Sequence, residues 1–196
     1  MSIVCTMAVE QLILASASPR RRRILADAGF IFTVLPVECT EYKELAGVSP
    51  VDIPVINAIL KARKAALDFP GHYVLGADTV IVADGTVLGK PADKADAERM
   101  LSRLSGRKHQ VITGVAIVLP GGGLESFSDI TEVCFKSFDI SVIREYMAKV
   151  DVSDKAGAYA IQEHGDMLVE YINGSFANVE GLPIEHLCKV LPLLNR

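Results

Sequence analysis

The stretch Leu12-Ile13-Leu14-Ala15-Ser16-Ala17-Ser18-Pro19-Arg20-Arg21-Arg22-Arg23 constrains this chain more than any other, because an apolar run breaks at a serine-rich turn and a proline then opens a helix with four consecutive arginines. Ser18 suits the N-cap and Pro19 the first helical position, where a missing N–H costs nothing. The unsatisfied N–H groups of the first turn and the positive end of the helix dipole then converge where Ser16 and the first arginines point. Arginine adds planar, multi-donor hydrogen bonding that lysine lacks, and the hydroxyls of Ser16 and Ser18 complete the shell. The segment reads as an anion site with phosphate as the natural guest. The plainer alternative is a capped helix with a solvated basic turn.

Charge sets the scale of the guest. Twenty Lys and Arg stand against 24 Asp and Glu in 196 residues, a net charge of −4, so the arginine cluster is a local pocket in an acidic protein. This argues against a general nucleic-acid surface and favours a small anion. Half the residues are hydrophobic and 22% are charged, enough for one large core or two lobes sharing a cleft. No window approaches the roughly 18 apolar residues of a bilayer span, and the first residues lack a basic n-region, so a cytoplasmic address without membrane contact is expected. Cys5, Cys39, Cys134 and Cys188 are scattered without a C-x-x-C pair and read as free thiols. His72, His109, His164 and His186 form no H-E-x-x-H arrangement and flank no serine or cysteine motif, which speaks against a histidine metallohydrolase or triad.

Strand-like and helix-like stretches alternate irregularly. Gln11 to Ala15 reads as a buried strand, Pro19 to Ala28 as a helix ended by Gly29, and Phe30 to Val37 as a second strand. Val55, Ile56, Ile59, Ala62 and Ala66 recur at helical spacing between Val51 and Leu67. Tyr73 to Ala77 and Val80 to Ala83 are strand-like, with Asp84-Gly85 turning into Thr86 to Leu88. Asp93 to Leu104 follows as a helix, His109 to Leu119 and Leu124 to Phe135 as a long hairpin, and Asn173-Gly174 marks another hairpin turn. There is no clean βαβ repeat, so the fold class is α/β with a mixed sheet, bent into two lobes around a central cleft. Residues 1–10 read as an N-terminal extension and 11–196 as a single domain.

Three polar clusters sit beside apolar runs. Gly76-Ala77-Asp78-Thr79 is read as a turn after a buried strand, where Asp78 holds a metal, orients water or simply caps the turn. Leu88-Gly89-Lys90-Pro91 sets a lysine between a flexible and a rigid residue, a placement that suits a charge aimed at phosphate. Asp154-Lys155-Ala156-Gly157-Ala158-Tyr159-Ala160-Ile161-Gln162 puts a charged pair before small residues, then a glutamine able to read a base edge. Neither a Walker A sequence nor G-x-G-x-x-G is present, so a less common nucleotide fold is needed.

Taken in order, L-I-L-A-S-A-S-P-R-R, G-A-D-T-V, L-G-K-P-A-D, M-L-S-R-L-S-G-R-K-H-Q-V-I-T-G-V-A, D-K-A-G-A-Y-A-I-Q and G-L-P-I make the chain resemble the Maf family of nucleoside triphosphate pyrophosphatases from about Leu12 to Leu187. The resemblance implies a two-lobed α/β fold related to the inosine triphosphate pyrophosphatases, often dimeric. It also implies cleavage between the α and β phosphates, giving a monophosphate and pyrophosphate with Mg²⁺, or Mn²⁺ or Co²⁺ in its place. The D-K-A-G-A-Y-x-I-Q form resembles the dTTP and UTP branch more than the 7-methyl-GTP branch. Ala160 stands where glycine is frequent, a difference that matters only if the backbone there needs a positive φ.

Carried over by motif, Ser16, Arg20 and Arg21 fall on the phosphate site, and Lys61, Asp78, Lys90 and Gln162 on other functional positions. Thr79 and Gln162 are expected at the pyrimidine edge, and Lys155 among the substrate contacts. Asp78 with an acidic residue of the loop after the second strand is expected to hold the metal; Glu41 is the first choice and Glu38 competes. Catalytic work is assigned to Asp78, Lys61 and Lys90. The alternatives are a non-catalytic nucleotide-binding regulator of septum formation and a phosphatase or transferase using the same anion loop.

Overall fold

Three long strands carry the molecule in the computed structural model, which describes residues 12–194. The extension expected at 1–10, with Cys5, lies outside the described residues. Strand β1 (Leu12–Leu14) leads through helix α1 (Pro19–Asp27) to β2 (Phe32–Val34), then come α2 (Ile53–Ala66), β3 (Tyr73–Ala83), β4 (Thr86–Leu88), α3 (Lys94–Leu104), β5 (Lys108–Val118) and β6 (Leu124–Phe135). The chain ends with α4 (Ile140–Lys149), β7 (Val169–Asn173), α5 (Phe176–Glu180) and α6 (Ile184–Leu194), with single 3₁₀ turns at Ala156–Ala158 and Gly165–Met167.

The sheet runs β2-β1-β3-β5-β6-β7, with β4 added on β3. β1 is parallel to both β2 and β3, and the remaining pairs are antiparallel, so the sheet is mixed. β5 covers one edge of β3 continuously from Val74 to Val82. On the other edge, β1 stops at Leu75 and β4 begins at Ile81. Residues 76–80 of β3 therefore face a notch in the sheet, and Asp78 and Thr79 stand at its middle.

Both faces of the sheet are covered. Val74, Ala116 and Val118 pack under Ala58, Ala62 and Ala65 of α2. Leu75, Ala77, Val115 and Ile117 point the other way, onto Ile24 and Leu25 of α1 and Leu187 and Leu191 of α6. The C-terminal helix thus docks on the core through Leu187 and Leu191. Further along the same strands, Ile81, Val111, Val133 and Phe135 meet Leu101 and Leu104 of α3 and Ile143 and Tyr146 of α4. β3 and β5 run through both packed regions, and the notch lies where one gives way to the other.

The approach of α2 is set by two glycines. A Cβ on Gly76 would fall 2.3 Å from the Ala58 carbonyl oxygen, and one on Gly114 would fall 2.3 Å from both Pro54 C and Val55 N. With bare backbone at both places, the helix rests directly on the strands and its polar side chains reach the notch.

Some local expectations change. Asp78 and Thr79 do not lie in a turn, because β3 is unbroken from Tyr73 to Ala83 and β5 pairs along it. The second strand is three residues and not eight, since its neighbour β1 offers only Leu12–Leu14 for pairing. Asn173-Gly174 makes no hairpin: it turns β7 into α5, with Gly174 at φ 136° and too close to Thr131 to admit a side chain. Helix α4 was not anticipated, although Asp139 caps it by accepting from the Ser141 and Val142 N–H groups and Ile143, Tyr146 and Val150 recur at helical spacing.

Gly114→Ala is expected to lower the unfolding free energy by about 1–3 kcal/mol, the usual range for overpacking. Gly71→Ala, where a Cβ meets nothing within 4 Å, serves as the control in urea titrations and should stay near wild type.

Candidate active site

The serine turn folds as a small hydrogen-bonded cradle. Ser18 caps α1 by accepting the Arg21 N–H at 3.4 Å, and Ser16 Oγ accepts the Ser18 N–H at 3.2 Å. Ser16 Oγ also accepts from Arg21 Nη1 at 3.3 Å, while Arg21 Nη2 donates to Thr79 Oγ1 at 3.0 Å and Nε to the Gly181 carbonyl at 2.8 Å. A guanidinium has five N–H groups, so one hydrogen on each terminal nitrogen remains for a guest. Burial pulls the Arg21 pKa down, opposed by the charge of Asp78; arginine stays protonated nonetheless. Arg20 stands 3.9 Å from Asp154 across the cleft, while Arg23 turns away to pair with Glu180.

On the opposite face of β3 the charge is reversed. Asp78, only 7% exposed, receives Lys61 Nζ at 2.7 Å on one oxygen and Asn57 Nδ2 at 2.8 Å on the other. Lys61 also lies 2.7 Å from Glu41 Oε1 and 3.4 Å from the Ala77 carbonyl. Asn57 has both of its N–H donors engaged: its Nδ2 also donates to the Tyr42 carbonyl, and its Oδ1 accepts the Tyr42 N–H, both at 2.9 Å. One amide thus fastens the loop bearing Glu41 to the carboxylate of Asp78. Burial alone raises the pKa of Glu41, but the hydrogen bond and charge of Lys61, with the fields of Lys90 and Arg21, bring it below the usual carboxylate range.

These groups surround a cleft of about 650 Å³ that fills the notch. Ser16, Arg20, Arg21, Glu38, Glu41, Lys61, Asp78, Thr79, Lys90 and Gln162 all line it. Lys155 does not. It is buried beside the cleft, its ammonium on the Asp151 carbonyl and on Asp154 at 2.8 Å, where it stabilises its own loop. Gln162 lies on the far wall with Nε2 on Glu163 at 3.1 Å. Lys90 is exposed at the rim, and the carbonyl of Gly89 beside it accepts the Gly157 N–H at 3.0 Å. Of the competing acids, Glu41 engages Lys61, whereas Glu38 offers Lys64 its backbone carbonyl. Ala160 is absent from the positive-φ residues, and the Tyr146 hydroxyl holds both its N–H and its carbonyl.

Asn57, Thr113 and Asn178 escaped the sequence reading. Asn57 had a signal: it stands four residues before Lys61, so that the two are polar neighbours on a helix face otherwise made of small and apolar residues. Thr113 and Asn178 had none, because their importance arises only from strand register and the docking of α5.

Asp78 and Glu41 offer hard oxygen donors. Among the described residues no group of three or more His, Cys, Asp or Glu could hold an ion. Two carboxylates plus substrate phosphates are a usual set for Mg²⁺, so the donors fit a cation that arrives with its ligand.

The Maf-like protein family model matches residues 11–194. This chain belongs to that family. It is 43% identical over 183 residues to the dTTP/UTP pyrophosphatase of Akkermansia muciniphila, covering 93% of this chain and 96% of that one. It is 45% identical over 183 residues to the dTTP/UTP pyrophosphatase of Symbiobacterium thermophilum, covering 93% of each. A solved nucleoside-triphosphatase, the dITP/XTP pyrophosphatase from Mycobacterium abscessus, is 18% identical with a TM-score of 0.43, covering 64% of this chain and 74% of that one.

Two measurements probe the supports of the site. Asn57→Leu leaves both Tyr42 backbone groups and one Asp78 oxygen without their partner. It should cost about 2–3 kcal/mol in urea unfolding and speed proteolysis within 38–48. The inner wall of the cleft includes Tyr159, whose hydroxyl meets His109 Nε2 at 2.9 Å. Burial pushes the His109 pKa from 6.5 to about 4, so the unfolded chain takes up a proton that the folded one refuses. Stability contributed by this neutral ring is complete above pH 6.5 and is lost as pH falls towards 4, roughly 2 kcal/mol between pH 7.5 and 5. His109→Gln should flatten that part of the profile.

Proposed function

We propose that this member of the Maf-like family is a nucleoside triphosphate pyrophosphatase that cuts dTTP- and UTP-like nucleotides between the α and β phosphates. The observation that carries the reading is the division of charge across β3. A guanidinium fork and a capped helix N-terminus lie on one face, and a carboxylate gripped by Lys61 and Asn57 lies on the other, with one cleft open to both.

A triphosphate brings about four negative charges, and in-line attack at the α-phosphorus must also stabilise a pyrophosphate leaving group. Arg21 offers two directed N–H groups, Arg20 and Lys90 add mobile charge at either side, and Ser16 with the first turn of α1 completes the anion site. Asp78 takes the part of the group that orients and deprotonates water. Lys61 and Asn57 each hold one of its oxygens and so fix its aim. Gln162, which lines the same cleft, is assigned to the base. Asp78 and Glu41 are the residues that would hold a divalent cation, Mg²⁺ being the natural choice. When bound, such a cation neutralises phosphate charge. Residues 11–196 act here as one working unit with the nucleotide as partner.

Release of pyrophosphate and of orthophosphate from a panel of nucleoside triphosphates, with Mg²⁺ or with chelator, tests this directly. Metal-dependent pyrophosphate release from dTTP and UTP is expected, and Asp78→Asn should lower turnover by at least about a hundredfold with an unchanged circular dichroism spectrum. Orthophosphate as the product would point to a phosphatase. Nucleotide binding without any release would point to a regulator.

A further inference from the structure

We propose that Thr79, Thr113 and Asn178 form a one-way hydrogen-bond relay that holds Arg21 in its phosphate-binding pose, which makes Thr79 a positioning residue and not a reader of the base. The proposal rests on Arg21 being a phosphate ligand.

Direction follows from counting protons. The Asn178 carbonyl can only accept, and Thr113 Oγ1 donates to it at 3.0 Å. Thr113 has a single hydroxyl proton, so the 2.9 Å contact between the two threonine oxygens must be donated by Thr79. Arginine can only donate, so Thr79 accepts from Arg21 Nη2 at 3.0 Å. Every link runs from the guanidinium towards Asn178. The proton of Thr79 is therefore committed inside the protein, and a base carbonyl would find no donor there.

The far end of the relay is anchored. Thr79 and Thr113 are direct cross-strand partners of β3 and β5. Asn178, fully buried, donates its amide to the Val111 carbonyl at 3.1 Å and to Thr131 Oγ1 at 2.9 Å. Thr131 also exchanges two hydrogen bonds of 3.1 Å with the Ser175 backbone. Helix α5 is thereby pinned to β5 and β6. The next residue, Gly181, supplies the carbonyl for Arg21 Nε, at φ 113° and with a notional Cβ only 3.4 Å from Thr79 Oγ1. Two routes thus run from α5 to one guanidinium, one direct and one through two hydroxyls. Chained hydroxyls polarise one another, and the carbonyl at the end leaves a favourable dipole against the buried cation.

The test separates phosphate from base. Thr113→Val is nearly isosteric and touches neither the cleft nor any nucleotide; Thr113→Ser keeps the hydroxyl. Titration calorimetry with inorganic tripolyphosphate reports on phosphate alone, and KM values for dTTP, UTP and CTP report on discrimination. Thr113→Val and Thr79→Val should each weaken tripolyphosphate roughly tenfold and raise all three KM values by a common factor, while Thr113→Ser stays near wild type. Unchanged tripolyphosphate affinity with a shifted ratio of dTTP to CTP would overturn the relay and return Thr79 to the base. A lowered Tm without change in either binding readout would reduce it to a structural contact and equally overturn it. Wild type that binds nucleotide but no tripolyphosphate would defeat the phosphate assignment of Arg21 itself, a separate failure that takes the relay with it.

Discussion

Asp78 and Lys61 form a buried ion pair, and the rest of the site is arranged around what such a pair requires. Two charges removed from water lose several kcal/mol of solvation each, and their attraction repays this only where the remaining lone pairs and protons also find partners. Here they do. The second Asp78 oxygen takes Asn57, and Lys61 takes Glu41 and the Ala77 carbonyl. None of these contacts is possible unless α2 lies almost against the strands, which is what the bare backbones of Gly76 and Gly114 permit. The small residues of the helix, Ala58, Ala62 and Ala65, belong to the same requirement, since they form the close-packed seam that holds Asn57 and Lys61 at the right height.

Placing the site on a strand has consequences that a loop would not. Successive side chains of β3 point to opposite faces, so neighbours in sequence serve opposite charges: Asp78 works with α2, and Thr79 with α1 and α5. The notch between β1 and β4 opens both faces to one cleft along the stretch of β3 that neither strand pairs. The carboxylate of Asp78 and the guanidinium of Arg21 then border one cleft from opposite faces of the strand. Their tie is through the electrostatic field, which favours the charged form of Arg21 against the cost of its burial, and not through a direct ion pair. Elements positioned by long ladders also hold their side chains more tightly than loops do, an advantage where reacting groups must be placed within about half an ångström.

The legibility of the sequence follows the range of the interactions. The start of α1 could be read because it is local: Ser18, Pro19 and the arginines declare a capped helix within a single turn. Helix α2 and the β5–β6 hairpin could be read from periodicity. The continuity of β3 could not, because Asp78 and Thr79 break the apolar run and imitate a turn, and only pairing with β5 keeps them extended. Lys155 misled for the opposite reason. Its neighbourhood of small residues is real, but two acidic side chains and a carbonyl within its own loop capture the ammonium first. Glu38 and Glu41 are equivalent in sequence and become distinct only through Lys61 on another element.

Lys61 shows how the charges of the site are balanced within the protein. Its ammonium sits between Asp78 and Glu41, 2.7 Å from each, and so holds together two carboxylates that would otherwise repel across a partly desolvated cleft. Against the cost of its burial, Glu41 has its pKa drawn below the usual carboxylate range by the hydrogen bond and charge of the same lysine. On the function proposed above, a triphosphate would change this balance. Its anions would meet the arginine face and draw on the same cations, which favours a counter-ion that enters with it. Two carboxylates with a lysine between them suit that role, because charges that are already paired within the protein need only be redistributed, not created, to meet a polyanion.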